Sequence, residues 1–240
     1  MKVSQYLGLS MIDYPEKLSA VLFTGDCNWR CNACHGKEIL ENIDNYSEEK
    51  IFNLIDLKKN WIDGVVLCGG EPTQEPDIVH FIRKLKGREL LVKLDTNGSN
   101  YSVLQELLDD KLVDYVAMDV KGPLYLYDKI VGKHVDLRDD VEKGMSIVPR
   151  FPRYEFRTTI VPVIRENETR FLNPVEMMDT ARWMVDNTQS NEHNYYIQKF
   201  VPNKGKLINK ELESFPETPV KLMNDIYSAV KEYLPYVKVR

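Results

Sequence analysis

The sequence predicts an α/β fold: a partial, TIM-like (β/α)6 barrel with a short C-terminal extension. Three observations lead there. Short apolar runs rich in β-branched residues alternate with longer stretches of helical period. Polar, glycine-marked segments recur where the apolar runs end. No linker or low-complexity tract divides the 240 residues, so a single domain over residues 1–240 is the simplest organisation. Strand–helix units in succession imply parallel strands with right-handed crossovers. Six such strands are too few for the usual closed eight-unit barrel.

Residues 20–24 (AVLFT) are the first predicted strand and lead into a cysteine-rich loop. Residues 47–58 carry Ile51, Leu54 and Ile55 at helical spacing, with Ser47 placed as an N-cap. Residues 64–67 (GVVL) form a buried strand that runs into Gly69, Gly70, Glu71 and Pro72, and residues 77–86 are the next helix. Residues 90–94 (LLVKL) are a strand ending in Asp95, Thr96, Asn97 and Gly98, followed by a helix over 101–108. Residues 115–118 (YVAM) are a strand ending in Asp119, Val120, Lys121 and Gly122. A helix is then expected over 137–148, a strand over 154–161, a helix over 174–186 and a strand over 195–200. Residues 201–219, with Pro202, Pro216 and Pro219, read as a long connection, and 220–234 as a closing helix.

Composition narrows the function. With 43% hydrophobic and 29% charged residues, the chain is an ordinary globular protein with a sizeable core. A net charge of -5 argues against a dedicated nucleic-acid binder. Asp13, Glu16 and Lys17 stand where a signal peptide needs an apolar run, and no apolar segment reaches membrane-spanning length. A cytoplasmic protein with no membrane partner is expected. Its four cysteines make no disulfide framework, and clustered thiols in a reducing compartment point to a metal or to catalysis.

Three of those cysteines, Cys27, Cys31 and Cys34, lie in CNWRCNACH. Short loops let three thiolates wrap one metal centre. With His35 they make a Cys3His set suited to zinc; with a fourth position open they suit a [4Fe–4S] cluster. The spacing leaves both possible. No second Cys/His knuckle accompanies the first, because His80, His134 and His193 are scattered and Cys68 stands alone. Cys68 reads as a small buried apolar residue.

In parallel α/β folds the strand-to-helix junctions share one face, where active sites form. The cysteine loop, Glu71, Asp95 and Asp119 are therefore expected to converge. Plainer readings stand beside this one. GGEP is also a turn, Asp95 and Asp119 are also helix caps, and Arg157 is also half of a surface ion pair.

CNWRCNACH after one strand, GGEP after the next, DTNG after a third and DVK after a fourth together resemble the radical S-adenosylmethionine (SAM) superfamily, over about residues 18–200. The Cys-His pair, DTNG and the opening SMIDYPEKLSAVLFT are most similar to the small activases of glycyl-radical enzymes. Among these, the long activases of anaerobic ribonucleoside-triphosphate reductase look nearest.

The resemblance implies a barrel of the radical SAM type and a role for each matching position. Cys27, Cys31 and Cys34 would ligate three irons of a [4Fe–4S] cluster, and SAM would chelate the fourth. Gly69, Gly70 and Glu71 would receive the methionine amino group. Asp95, Thr96 and Asp119 would hold a monovalent cation beside the SAM carboxylate, with Asn97 and Lys121 facing the same pocket. Arg157 would reach the SAM carboxylate or ribose, and Gln198 the adenine. A flavodoxin or ferredoxin would supply the electron, and the partner would be a glycyl-radical enzyme. Too few cysteines remain for an auxiliary cluster. Two positions depart from the pattern: Ala33 stands where an aromatic residue is common, with Trp29 as a substitute for its bulk, and Gly36 stands where the activases often have Asn. A radical SAM enzyme for a small molecule, similar to 7-carboxy-7-deazaguanine synthase, and a zinc-binding interaction module are the alternatives.

Overall fold

The computed structural model describes residues 1–41, 46–132 and 138–240. Its strands are β1 (Val3–Ser10), β2 (Ser19–Thr24), β3 (Gly64–Gly69), β4 (Leu91–Thr96), β5 (Tyr115–Asp119), β6 (Tyr154–Ile160), β7 (Pro162–Ile164), β8 (Thr169–Phe171), β9 (Tyr195–Lys199) and β10 (Val237–Val239). The helices are α1 (Lys37–Glu41), α2 (Glu48–Asp56), α3 (Ile78–Lys86), α4 (Tyr101–Asp109), α5 (Tyr127–Val131), α6 (Arg138–Ile147), α7 (Pro174–Thr188) and α8 (Val220–Lys231).

One sheet of eight strands runs in the order β1-β2-β3-β4-β5-β6-β9-β10. The six expected strands are β2, β3, β4, β5, β6 and β9, adjacent in that order and parallel throughout. Among the described residues β1 and β10 stand at the two ends of this order. Three features add to the expectation. β1 pairs antiparallel with β2. β10 pairs parallel with β9, so residues 201–240 contribute a strand to the barrel sheet. β7 and β8 form a separate hairpin. The helix expected over 137–148 is α6; Leu137 lies outside the described residues, as does His134.

Local chemistry accounts for the helices. Ser47 caps α2, its hydroxyl accepting from the Lys50 amide at 3.3 Å. Asn173 and Glu176 form a reciprocal capping box on α7. Strand residues alternate between two faces. Leu22, Val65, Leu67, Val92, Leu94, Val116, Met118 and Phe156 pack with the helices in the main core. The alternate positions form a smaller cluster of Val21, Val66, Tyr115 and Ala117. Lys93, Asp95, Asp119, Glu155 and Arg157 fall on the same parity. This face therefore combines a small apolar cluster with five charged residues on β4, β5 and β6.

Candidate functional site

The strand ends surround a cavity of about 320 Å³, at the small end of the range for ligand sites. Cys27, Cys31, Cys34, Gly69, Gly70, Glu71, Asp95, Thr96, Asn97, Asp119, Lys121 and Arg157 all line it. Of the expected site residues only Gln198 does not. It stands on β9 beside Thr159, whose hydroxyl lies 3.5 Å from its side-chain oxygen.

The cysteine loop is held from three directions. The Asn28 side chain donates to Ser99 Oγ at 2.7 Å and accepts from Asn97 Nδ2 at 2.9 Å, tying the loop to the DTNG turn. The Arg30 and Asn32 amides donate to the carbonyls of Val131 and Ile130 in α5. The Ile208 and Asn209 amides donate to the carbonyls of Cys34 and Asn32 at 3.0 and 3.1 Å. The C-terminal connection thus lies along the loop. His35 points the same way, its Nε2 2.8 Å from the Val201 carbonyl oxygen.

Two thiols accept amide hydrogens, Cys27 from Trp29 at 3.4 Å and Cys34 from Gly36 at 3.2 Å. Burial pushes the Cys27 thiol up to about 12, and pushes Cys31 up to about 11 against the pull of Lys121. Among the described residues no three His, Cys, Asp or Glu side chains gather tightly enough for a single metal ion. Tetrahedral zinc needs such convergence at about 2.0–2.3 Å. In an iron–sulfur cluster each thiolate takes its own iron, so convergence on one point is not required. With His35 turned toward Val201, these residues fit a three-cysteine cluster better than a zinc knuckle.

Glycine is required where β3 meets this loop. Gly69 has φ +105°. A Cβ on Gly70 would lie 1.8 Å from the Asp26 carbonyl oxygen. That oxygen accepts the Glu71 amide at 2.7 Å. Glu71 is 1% exposed, and four donors meet its carboxylate: the Thr73 amide and hydroxyl, the Thr96 hydroxyl and the Asn97 amide, at 2.6–3.1 Å. Burial raises its carboxyl and these donors oppose the rise. Glu71 thereby locks the end of β3 to the end of β4.

Asp95, Asp119 and Arg157 form a charge chain across β4, β5 and β6. The Arg157 guanidinium donates to Asp95 at 2.9 Å and to Asp119 at 2.8 Å. Lys93 donates to Asp95, and Lys121 donates to Asp119 at 2.9 Å. Burial works against the charge of Asp119, but Arg157 and then Lys121 hold its carboxyl well below the usual range. Neither aspartate caps a helix: the residue preceding α4 is Asn100 and that preceding α5 is Leu126. Arg157 is 14% exposed, so this is no surface ion pair. Lys93, buried behind the cavity wall, holds Asp95 from below the lining, and a lysine inside an apolar strand is itself a signal of such a buried partner.

Cys68 borders the cavity as well as the smaller apolar cluster. Burial raises its thiol well above the ordinary value. Trp29 is 1% exposed, packs edge-on against Tyr127 and forms part of the wall.

A profile of the Radical SAM superfamily matches residues 21–177. The chain belongs to the radical SAM superfamily. It is therefore an enzyme of SAM-dependent radical redox chemistry, and the family implies SAM and a [4Fe–4S] cluster. A candidate glycyl-radical enzyme activating enzyme of Methanocaldococcus jannaschii is 33% identical over 244 residues, 99% of this chain and 95% of that one. A candidate GTP 3′,8-cyclase of Pyrococcus horikoshii is 32% identical over 128 residues, but only 52% of this chain and 41% of that protein are aligned. Among solved structures, a radical SAM methyltransferase from Sphaerobacter thermophilus superposes with a TM-score of 0.67 at 12% identity, covering 97% of this chain and 68% of the other. That likeness speaks to the fold alone. No helix among the described residues is long and apolar enough to cross a membrane.

Proposed function

We propose that this radical SAM enzyme is an activase that generates a glycyl radical on a partner enzyme, with anaerobic ribonucleoside-triphosphate reductase the favoured partner. The observation that carries the reading is the 33% identity to a candidate activating enzyme over 99% of the chain. The likeness to the cyclase is confined to about half of the chain and favours shared SAM chemistry more than a shared substrate.

In this reading residues 1–240 work as one domain. Cys27, Cys31 and Cys34 hold three irons of the cluster. When bound, the cluster and SAM supply the one-electron reduction and the 5′-deoxyadenosyl radical chemistry, and a flavodoxin or ferredoxin is the electron donor. The protein's own task is to bind, orient and keep out water. Gly69 and Gly70 let the main chain approach the methionine amino group closely. Glu71, fully engaged by four donors, fixes that turn instead of moving during the reaction. Lys121 and Arg157 offer positive charge to the SAM carboxylate. Gln198, outside the cavity lining, is assigned no contact with bound SAM.

The test is SAM cleavage by the anaerobically reconstituted protein with reductant, measured as 5′-deoxyadenosine. Strong stimulation by a glycyl-radical enzyme supports the activase reading. Stimulation by a small metabolite and none by such a protein would replace it with a small-molecule enzyme.

A further inference from the structure

The resemblance to the activases implies a monovalent metal ion held by Asp95, Thr96 and Asp119, and the geometry there does not suit one: the Thr96 hydroxyl donates to Glu71 at 2.7 Å. All four carboxylate oxygens of the pair already accept nitrogen donors. Asp95 takes Lys93 on one oxygen and Arg157 Nη1 on the other at 2.9 Å. Asp119 takes Arg157 Nε at 2.8 Å and Lys121 Nζ at 2.9 Å. One guanidinium therefore spans both carboxylates, delivered by the register that sets Arg157 of β6 beside Asp119 of β5. An ion shared by these two aspartates would have to displace that guanidinium or sit against it, like charge on like.

The wider surroundings do not invite a further cation either. Glu155, 4.0 Å from Arg157 Nη1, is already held by Arg240 at 3.0 and 3.1 Å. Lys93, Lys121, Arg157 and Arg240 together engage Asp95, Asp119 and Glu155, and Glu71, the other carboxylate at the cavity, is taken up by its four donors. A planar, permanently charged fork is well suited to bridge two carboxylates from a fixed strand position.

We propose that this chain carries its own cation: the Arg157 guanidinium takes the place of a monovalent metal ion between Asp95 and Asp119, so that SAM binding requires no alkali metal. The inference rests on the SAM-binding reading of the cavity. Its experiment is a SAM titration of the anaerobically reconstituted protein by equilibrium dialysis, in sodium, potassium and tetramethylammonium chloride at equal ionic strength. Affinity should agree within about twofold across the three salts, since general screening is held constant. A loss of about tenfold or more in tetramethylammonium, reversed by potassium or sodium, would overturn the proposal. Arg157→Gln uncovers the two carboxylates and should create the dependence that the wild type lacks: weakened binding in tetramethylammonium, partly regained in potassium or sodium. A folded, cluster-loaded Arg157→Gln protein with wild-type affinity in every salt would also overturn it. If that variant does not fold, the wild-type comparison decides alone. Failure of the wild type to bind SAM in any salt would instead remove the SAM reading, and this inference with it.

Discussion

Gly70→Ala probes how the cysteine loop is positioned. The added Cβ would lie 1.8 Å from the Asp26 carbonyl oxygen and 2.6 Å from its carbon. An ordinary carbon–oxygen approach is about 3.3 Å, so the Asp26 peptide must retreat by roughly 1.5 Å. Both obstructing atoms are main chain, and no rotamer change relieves them. Overpacking of this kind costs about 1–3 kcal/mol. The 2.7 Å bond from the Glu71 amide to Asp26 breaks as well, adding about 1 kcal/mol. A stability loss of about 2–4 kcal/mol follows, read from urea unfolding. The functional loss should be larger, because Cys27 follows Asp26 directly and functional sites tolerate only about 0.5 Å of displacement. Iron content after anaerobic reconstitution should fall, and SAM affinity should drop by about tenfold or more. Gly87→Ala is the control. Its Cβ meets nothing closer than 3.5 Å, and its stability should stay within about 0.5 kcal/mol of wild type. A Gly70→Ala protein with normal stability, full iron and normal SAM binding would refute the packing argument.

Three further outcomes are expected. Alanine at Cys27, Cys31 or Cys34 should abolish cluster-dependent SAM cleavage, whereas Cys68→Ala should keep its iron; iron loss in the Cys68 variant would make it a ligand. In the metal-free chain, thiols raised to about 12 and about 11 stay protonated while unfolded thiols ionise from about 9, so stability is full below about pH 9 and declines as pH rises toward 12. Urea midpoints across that range should show the decline, and the Cys27→Ala/Cys31→Ala double variant should lack that part of it; identical profiles would contradict the assignment. Glu155→Ala releases Arg240 and leaves the Tyr115 hydroxyl, 2.9 Å away, without its acceptor. It should cost about 1–3 kcal/mol in urea unfolding while leaving iron content intact, and a neutral result would show that the C-terminal arginine does not anchor the edge of the sheet.

β2, β3 and most of β5 were legible as continuous apolar runs, as strands buried on both faces are. β4, β6 and β9 carry polar residues within the run and were legible from their β-branched and aromatic residues and their place between helices. β1 was not, since Gln5, Tyr6 and Gly8 interrupt its pattern and its outer edge is solvated. β10 is three residues long, too short for any period to register. The convergence of the cysteine loop with Glu71, Asp95 and Asp119 followed from strand-end topology alone. Which polar groups pair within that convergence did not. The bridge from Arg157 to both aspartates depends on strand register, and the Glu71 clasp depends on a turn that brings Thr73, Thr96 and Asn97 to one carboxylate. His35 was hardest to place, because its partner Val201 is 166 residues away in the chain.

Electron paramagnetic resonance on a mixture of this protein, reductant, SAM and a glycyl-radical enzyme from the same organism tests the central claim most directly. The activase reading predicts a glycyl-radical doublet on the partner that requires SAM and all of Cys27, Cys31 and Cys34. SAM cleavage that proceeds with the partner present and leaves no glycyl radical on it would contradict the account.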